Sequence, residues 1–179
     1  AHFLRSQYDS IISTSVSINK DNSLLNCRIN GFDQSKPDLF IIDRNLKLKK
    51  NLKLFDIAYK RKTYIITSSN NKKKISFFKK KKIKIIKFKQ IKNKNDVINI
   101  FNKIFKIGQR RILIETGLTF LNKLIDFKLI NNLYIFQSNY KLQSNGYNNS
   151  KINNLKSLDL SQEILINLNK DKFFKIRLR

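Results

Sequence analysis

Short runs of consecutive apolar residues alternate with polar segments along most of the chain. Runs of this length, rich in Ile, Val and Phe, are typical of strands that are buried on both faces. The pattern predicts six strands, at residues 9–17, 39–43, 64–67, 83–86, 111–115 and 133–136. Residues 18–36 are polar and contain the turn signal Asn30-Gly31, so this segment is predicted to be a loop.

Two segments between the later strands have the apolar spacing of helices. In the first of them Val97, Ile100 and Ile104 recur at intervals of three and four residues, which places them on one face. The predicted helices cover residues 96–106 and 119–129.

Two alternating segments near the end of the chain, residues 163–167 and 172–178, predict a closing hairpin around a polar turn at 169–171. Strands that are separated by helical segments favour a parallel sheet, to which a hairpin would add an antiparallel edge. No linker divides the chain. The sequence therefore predicts one α/β domain covering residues 1–179, with a mostly parallel central sheet and a C-terminal antiparallel hairpin.

The amino-acid composition excludes several classes of protein and of binding site. Of the 179 residues, 41% are hydrophobic and 14 are Phe, which is enough for a packed core and excludes wholesale disorder. A single Cys27 and a single His2 exclude an internal disulfide and cannot supply the ligands of a zinc site, so no metal is expected. No apolar run is long enough to span a membrane and no signal-peptide pattern is present. We expect a soluble, cytoplasmic protein without a membrane partner.

Charge suggests an alternative function. Lys and Arg number 38 against 12 acidic residues, a net charge of +26, and half of the basic residues lie between Lys47 and Lys94, where Asp56 is the only acid. A basic nucleic-acid-binding module centred there is one interpretation. However, Arg is scarce, and Lys, Asn and Ile are all favoured by A- and T-rich codons. We therefore expect solvated loops and strand faces around the lysine runs 72–74 and 79–82, without a specific nucleic-acid partner.

The clearest candidate for chemistry is the segment from Arg111 to Thr119. A buried strand ends at Glu115, a turn follows at Gly117, and a helix begins. Ligands of open parallel sheets bind beyond the carboxyl ends of the strands, where helix N-terminal N–H groups can hold phosphate. Gly117 lets a phosphate approach the backbone, and Thr119 can donate a hydroxyl. An ordinary strand-to-helix junction is the alternative.

A second candidate follows the first predicted strand. Between Ser17 and Arg28 the charged members are Lys20, Asp21 and Arg28, and Arg5 lies upstream of the strand. An arginine fork suits the binding of an anion, although surface ion pairing is a common alternative for an isolated Arg. No Ser-His-Asp or Cys-His arrangement can be assembled, so the catalytic residue stays unknown.

Taken in chain order, these segments resemble the reductase domain of bacterial RibD, a riboflavin-biosynthesis family. The family's conserved pattern is similar to this sequence at residues 2–13, 21–28, 37–43, 111–119 and 127–134. The resemblance implies a dihydrofolate-reductase-like, three-layer αβα fold. It also implies an oxidoreductase that uses NADPH to reduce the ribosyl group of 5-amino-6-(5-phosphoribosylamino)uracil to ribityl.

By position in the motifs, the resemblance also implies site residues. The substrate-binding residues would be Arg5, Leu25, Arg28 and Glu115, with the arginines facing the phosphate. The cofactor-binding residues would be Ser17, Asp21, Arg44, Gly117, Leu118, Thr119, Phe120, Leu121, Asn122 and Lys123.

Some positions depart from the family pattern. Thr116 and Leu118 stand where the family commonly has Gly and Pro, and Arg44 replaces a small residue, so that it would crowd or newly contact the adenosine end of the cofactor. The family's first strand and its zinc deaminase are absent from Ala1 onward, so we expect a reductase domain truncated at its N-terminus. A fused or separate deaminase and a homodimer are the expected partners, and a decayed, non-catalytic scaffold is a further alternative.

Overall fold

The computed structural model describes residues 1–31, 37–140, 158–160, 162–166 and 168–178. Within it the chain forms two compact units, Ala1–Gly117 and Leu118–Arg179. Each unit is described by itself below.

The first unit is built on a five-stranded sheet. Its strands are β1 (Ser10–Thr14), β2 (Asp38–Ile42), β3 (Thr63–Thr67), β4 (Lys84–Lys87) and β5 (Ile112–Ile114), in the order β4-β3-β2-β1-β5. All four neighbouring pairs are parallel. Ile11 of the central strand β1 lies opposite Leu39 of β2 and Leu113 of β5. The mostly parallel sheet predicted from the apolar runs is thus confirmed.

The helices of the first unit are α1 (His2–Ser6), α2 (Ser15–Asp21), α3 (Lys72–Lys80) and α4 (Lys94–Lys106), with a short 3-10 helix at Lys53–Asp56. Helix α4, predicted from its spacing, begins with a capping box in which Asn93 and Asp96 bond each other's backbone N–H groups. Its residues Val97, Ile100 and Ile104 are buried, as the spacing predicts.

The sheet carries the core of this unit. Adjacent residues of β1, Ile11 and Ile12, are both fully buried, which shows that both faces of the strand are covered. Leu39 and Ile41 of β2 and Ile65 of β3 belong to the same buried cluster. Burial on both faces explains why these strands consist of unbroken apolar runs instead of alternating residues.

Two secondary-structure predictions were wrong. The strand predicted at residues 9–17 ends at Thr14, and residues 15–21 form helix α2 where the end of the strand and a loop were expected. The Thr14 hydroxyl accepts a hydrogen bond from the Ser17 N–H and so caps the new helix, and Ile18 is fully buried. The change from strand to helix is hard to see in the sequence, because residues 9–17 are uniformly small or β-branched and only the Thr14 side chain marks the start of the helix.

The second wrong prediction concerns the lysine runs. Lys72–Lys80 form helix α3, not the loops and strand faces expected there. The Asn71 side chain caps its first turn, and Phe78, three residues after Ile75, is buried. Lysine has a high helix propensity, so a capped lysine run that packs Phe78 against the core is compatible with a helix.

The second unit contains helix α5 (Leu118–Asp126) and strands β6 (Asn132–Gln137) and β7 (Lys172–Arg177). The two strands form an antiparallel sheet of their own, so the prediction that an antiparallel pair would be an edge of the parallel sheet was wrong. The ladder partner of β7 is β6, whereas residues 163–167 had been predicted. Asn169 and Lys170 have left-handed backbone conformations at the predicted turn. Of the segment predicted at 163–167, residue 167 lies outside the described residues, and Glu163 makes one bridge to Phe174. Among the described residues, no helix is long and apolar enough to cross a membrane.

Candidate functional site

Arg5 and Glu115 form the best-defined polar contact of the first unit. Arg5 lies on α1, and Glu115 follows β5, where its backbone N–H donates to the Ile12 carbonyl. The Arg5 Nε and Nη2 atoms each donate to one oxygen of the Glu115 carboxylate, at 2.7 Å. The two side chains are only 13% and 24% exposed. Such a planar, two-bond pair fixes both the position and the orientation of the carboxylate.

The loop at residues 22–31 contains two of the predicted substrate-binding residues, Leu25 and Arg28, and is called the substrate loop below for that reason. Its contacts connect Arg28 to the Arg5–Glu115 pair. The Asn26 carbonyl accepts from Arg5 Nη1 at 2.9 Å and lies 3.0 Å from His2 Nδ1. The Arg28 backbone N–H lies 3.1 Å from the same His2 nitrogen, and Arg28 Nη2 lies 3.4 Å from His2 Nε2. Burial, with the charges of Arg5 and Arg28, lowers the pKa of His2, so its ring is neutral at pH 7 and can accept from Arg28.

The four residues predicted to hold a substrate therefore meet in one region. Glu115, Arg5 and Arg28 are linked through the Asn26 carbonyl and His2. The Leu25 side chain lies in the hydrophobic core and is 6% exposed, with a left-handed backbone conformation at φ 50°. Arg5 is bound to Glu115 and Asn26, whereas Arg28 is exposed apart from its contacts with His2.

Arg61 is part of this region, and the sequence analysis missed it. It lies just before β3 and donates from Nη1 to the carbonyl of Leu25 at 2.5 Å and from Nη2 to the carbonyl of Leu24. Burial, with the charge of Arg5, lowers the pKa of Arg61 to about 10, so the guanidinium is still charged at neutral pH. Nothing in the sequence around Arg61 signals this contact, because its partners are main-chain carbonyls.

A cluster of hydroxyl groups lies where β1 and β5 end. Thr14 Oγ1 and Ser17 Oγ are 3.1 Å apart, and Thr116 Oγ1 lies 3.4 Å from Thr14 Oγ1. The Gly117 N–H donates to Ser17 Oγ at 3.0 Å. Of these residues Ser17 and Gly117 were predicted as cofactor-binding, and the structure brings them into contact. Thr14 and Thr116 were missed because single threonines in a strand and a turn carry no motif.

Arg44 follows β2 at the same edge of the sheet. The preceding residue, Asp43, is buried and accepts hydrogen bonds from the Ser15 hydroxyl at 3.0 Å and from the backbone N–H of Lys47 at 2.7 Å. The Arg44 carbonyl accepts from Thr67 Oγ1 at 2.9 Å. Arg44 is thus held through its backbone, while its exposed guanidinium makes no hydrogen bond or ion pair with any residue that the structure describes.

The other predicted cofactor residues are placed as follows. Asp21 is the exposed last residue of α2, one helical turn after Ser17, and takes no part in the hydroxyl cluster. Six predicted cofactor-binding residues form the start of α5 in the second unit, directly after Gly117 in the chain: Leu118, Thr119, Phe120, Leu121, Asn122 and Lys123. A strand, a glycine turn and a helix therefore follow one another as predicted.

Comparisons with protein families and with solved structures agree with each other. A family model described as the RibD C-terminal domain matches residues 1–140. Among solved structures, the chain is similar to a pyrimidine reductase-like protein from Corynebacterium diphtheriae, with 15% identity and a TM-score of 0.72 over 98% of this chain and 78% of that one. No curated protein matches the sequence.

Two further solved structures are similar. Acinetobacter baumannii RibD shares 15% identity with a TM-score of 0.72, over 98% of this chain and 48% of that one. A deaminase/5-amino-6-(5-phosphoribosylamino)uracil reductase from Thermotoga maritima shares 17% identity with a TM-score of 0.69, over 98% of this chain and 47% of that one. The chain thus spans about half the length of these two proteins. The likeness confirms the predicted fold class, including its dihydrofolate-reductase-like character.

Proposed function

Because the chain belongs to the RibD C-terminal domain family, we propose that it is a pyrimidine reductase of riboflavin biosynthesis. Its reaction would be the NADPH-dependent reduction of the ribosyl group of 5-amino-6-(5-phosphoribosylamino)uracil to ribityl. The observation that carries the proposal is the Arg5–Glu115 pair, which is joined to the loop bearing Arg28 where β1 and β5 end. An acid and a cation fixed side by side at that edge suit a polar, phosphorylated ligand.

The substrate-binding residues would divide their roles according to their present contacts. Arg28 has the exposed guanidinium, so it would bind the phosphate of the substrate. Arg5 already donates three N–H groups to Glu115 and Asn26, so it would mainly orient Glu115. The Glu115 carboxylate would accept hydrogen bonds from hydroxyl or amino groups of the substrate. Leu25 would contribute through the shape of its loop, because its side chain lies in the core.

The residues at the hydroxyl cluster would bind the phosphates of NADPH. The Gly117 N–H holds the Ser17 hydroxyl in place, and a Cβ added at Gly117 would lie 3.6 Å from Ser17 Oγ, so the glycine leaves the space beside that hydroxyl to a phosphate. By the family resemblance, Leu118 to Lys123 in α5 of the second unit would also belong to the cofactor-binding residues. Arg44 would contact the adenosine end, and Asp21 would contact the cofactor from α2. NADPH supplies the hydride, and these residues would bind and orient it.

The test is an assay of the purified protein with NADPH and the ribosylamino-pyrimidine, followed by the near-ultraviolet absorbance of NADPH. We expect absorbance to fall only when both compounds are present. Arg28→Gln should raise the substrate KM by at least about tenfold, because a charge-assisted contact is lost. Arg110→Gln, at an exposed arginine bound to the Phe105 carbonyl, is the matched control and should leave the KM unchanged. Folded wild-type protein that consumes no NADPH would support a non-catalytic scaffold instead.

We propose two partners, of which only the first follows from the proposed reaction. The substrate is a uracil, and the name of the Thermotoga maritima neighbour includes a deaminase that acts on a diaminohydroxy-pyrimidine. A deaminase, fused or separate, would therefore supply the substrate. The second partner is another copy of the chain, and light scattering of the purified protein tests for the expected homodimer.

A further inference from the structure

Arg61 joins two parts of the first unit that are distant in sequence. It lies in the segment between the 3-10 helix and β3, while its hydrogen-bond partners, Leu24 and Leu25, lie in the substrate loop. Arg61 Nη1 also reaches the Pro37 carbonyl at 3.4 Å, just before β2. A single guanidinium therefore binds three main-chain carbonyls from two segments. Lysine could not reproduce this contact, because its ammonium is a point donor without a planar fork.

The substrate loop needs such contacts to keep its shape. Residues 22–29 form no helix or strand, and both Asn22 and Leu25 have left-handed backbone conformations, with φ of 46° and 50°. That region is unfavourable for a branched apolar residue such as leucine. At Leu25 two things hold the backbone, namely burial of the side chain in the core and the bond from Arg61 to its carbonyl.

The contacts along the substrate loop are made in sequence order. Arg61 binds the carbonyls at residues 24 and 25, Arg5 binds the carbonyl at Asn26, and His2 contacts Asn26 and Arg28. A change at Leu25 would therefore shift Asn26 and Arg28 relative to Glu115. Arg61 itself is largely enclosed and would not contact the substrate.

We propose that Arg61 is a positioning residue, which holds the substrate loop in the conformation that presents Arg28 to the substrate phosphate. This inference rests on the proposed function for the role of Arg28, but not for the effect of Arg61 on the loop. The two parts can be tested separately.

The first test is hydrogen–deuterium exchange of Arg61→Lys, with Arg110→Lys as the matched control. We expect faster exchange in peptides covering residues 22–31 and unchanged exchange in β1 and β2, and the control should match the wild type throughout. Unchanged exchange in residues 22–31 would overturn the proposal. Faster exchange throughout the sheet, in both Arg61→Lys and Arg61→Gln, would also overturn it, because Arg61 would then hold the whole fold.

The second test is kinetic. Arg61→Lys should raise the KM for the ribosylamino-pyrimidine by about tenfold, the effect of one lost charge-assisted bond, while kcat and the KM for NADPH change less than about twofold. In an Arg28→Gln background the same substitution should have no further effect on the substrate KM. Equal losses in the KM for NADPH and for the substrate would contradict a role through Arg28. If the wild type has no turnover, the proposed function fails, and the exchange experiment alone decides whether Arg61 holds the loop.

Discussion

The Arg5–Glu115 pair should be the strongest ion pair among the described residues, and Glu115→Gln tests it. Glutamine has nearly the shape of glutamate, but it is neutral and keeps only one carbonyl oxygen. One of the two bonds of 2.7 Å would be lost, and the amide NH2 group would face a guanidinium N–H. The Arg5 charge would then lack a counter-charge in a site where it is 13% exposed.

The low exposure of the Arg5 side chain determines how much unfolding free energy Glu115→Gln should lose. A hydrogen bond to a charged group contributes ~1.5–3 kcal/mol, removal of one partner of a fully buried pair costs ~3–5 kcal/mol, and an exposed pair contributes ~0–1 kcal/mol. For a pair that is mostly covered by protein, we expect a loss of about 2–3 kcal/mol. In a chain of this size, that corresponds to a decrease in Tm of about 4–12 °C.

Thermal unfolding followed by circular dichroism measures this decrease. The matched control is Glu163→Gln, which removes the negative charge of the pair between Glu163 and Lys172. In this pair Lys172 Nζ lies 3.5 Å from Glu163 Oε2, and the side chains of Lys172 and Glu163 are 57% and 33% exposed. We expect the control to change Tm by no more than about 4 °C. Equal decreases in the two variants would refute the reasoning, because burial would then not determine the strength of the pair.

Three further predictions concern the cofactor and pH. Gly117→Ala should leave Tm within about 2 °C, because its Cβ would meet Ser17 Oγ at an ordinary 3.6 Å. It should nevertheless weaken NADPH binding in a fluorescence titration, and an unchanged Kd would contradict a phosphate at this turn. Arg44→Ala should weaken binding of NADPH by at least about fivefold and that of NADH much less, because Arg44 would bind the extra phosphate. Equal losses would place Arg44 away from that phosphate. Burial raises the pKa of Asp9, but hydrogen bonds from Arg111 and from the Arg110 backbone N–H together hold this pKa below the usual 3.8. A lowered pKa gives stability that is present above the unfolded pKa and lost as pH falls through the folded one, so Asp9→Asn should cost about 1 kcal/mol at pH 7 and progressively less as pH falls below 3.8. Urea unfolding at pH 7 and at successively lower pH checks this, and a cost that does not change with pH would contradict it.

The strands were predictable because their burial is complete. Residues such as Ile41 and Ile65 are covered on all sides, so the apolar runs report the sheet directly. Helices α2 and α3 were not predictable in the same way. Each of these helices begins at one capping side chain, Thr14 for α2 and Asn71 for α3. A single capping residue is a weaker sequence signal than the apolar or lysine-rich run around it.

The site was predictable where its residues stand in a motif. Arg5, Arg28 and Glu115 were identified in this way, and the structure brings them into one region. Arg61 was not identified, because it binds backbone carbonyls 36 and 37 positions away, and a carbonyl has the same chemistry at every residue. Contacts of this kind become visible only when the chain is folded.

The central claim, that this chain transfers a hydride to a phosphorylated ribosylamino-pyrimidine, is tested most directly by isotope transfer. The purified protein would be incubated with NADPH that carries deuterium at the transferable position of nicotinamide C4, and the product analysed by mass spectrometry. We predict a ribityl product with one deuterium on the former anomeric carbon, which keeps its original hydrogen, while the balancing proton comes from solvent and ends on the hydroxyl released from the opened ring. Recovery of unreduced substrate from folded, NADPH-saturated protein would contradict the account.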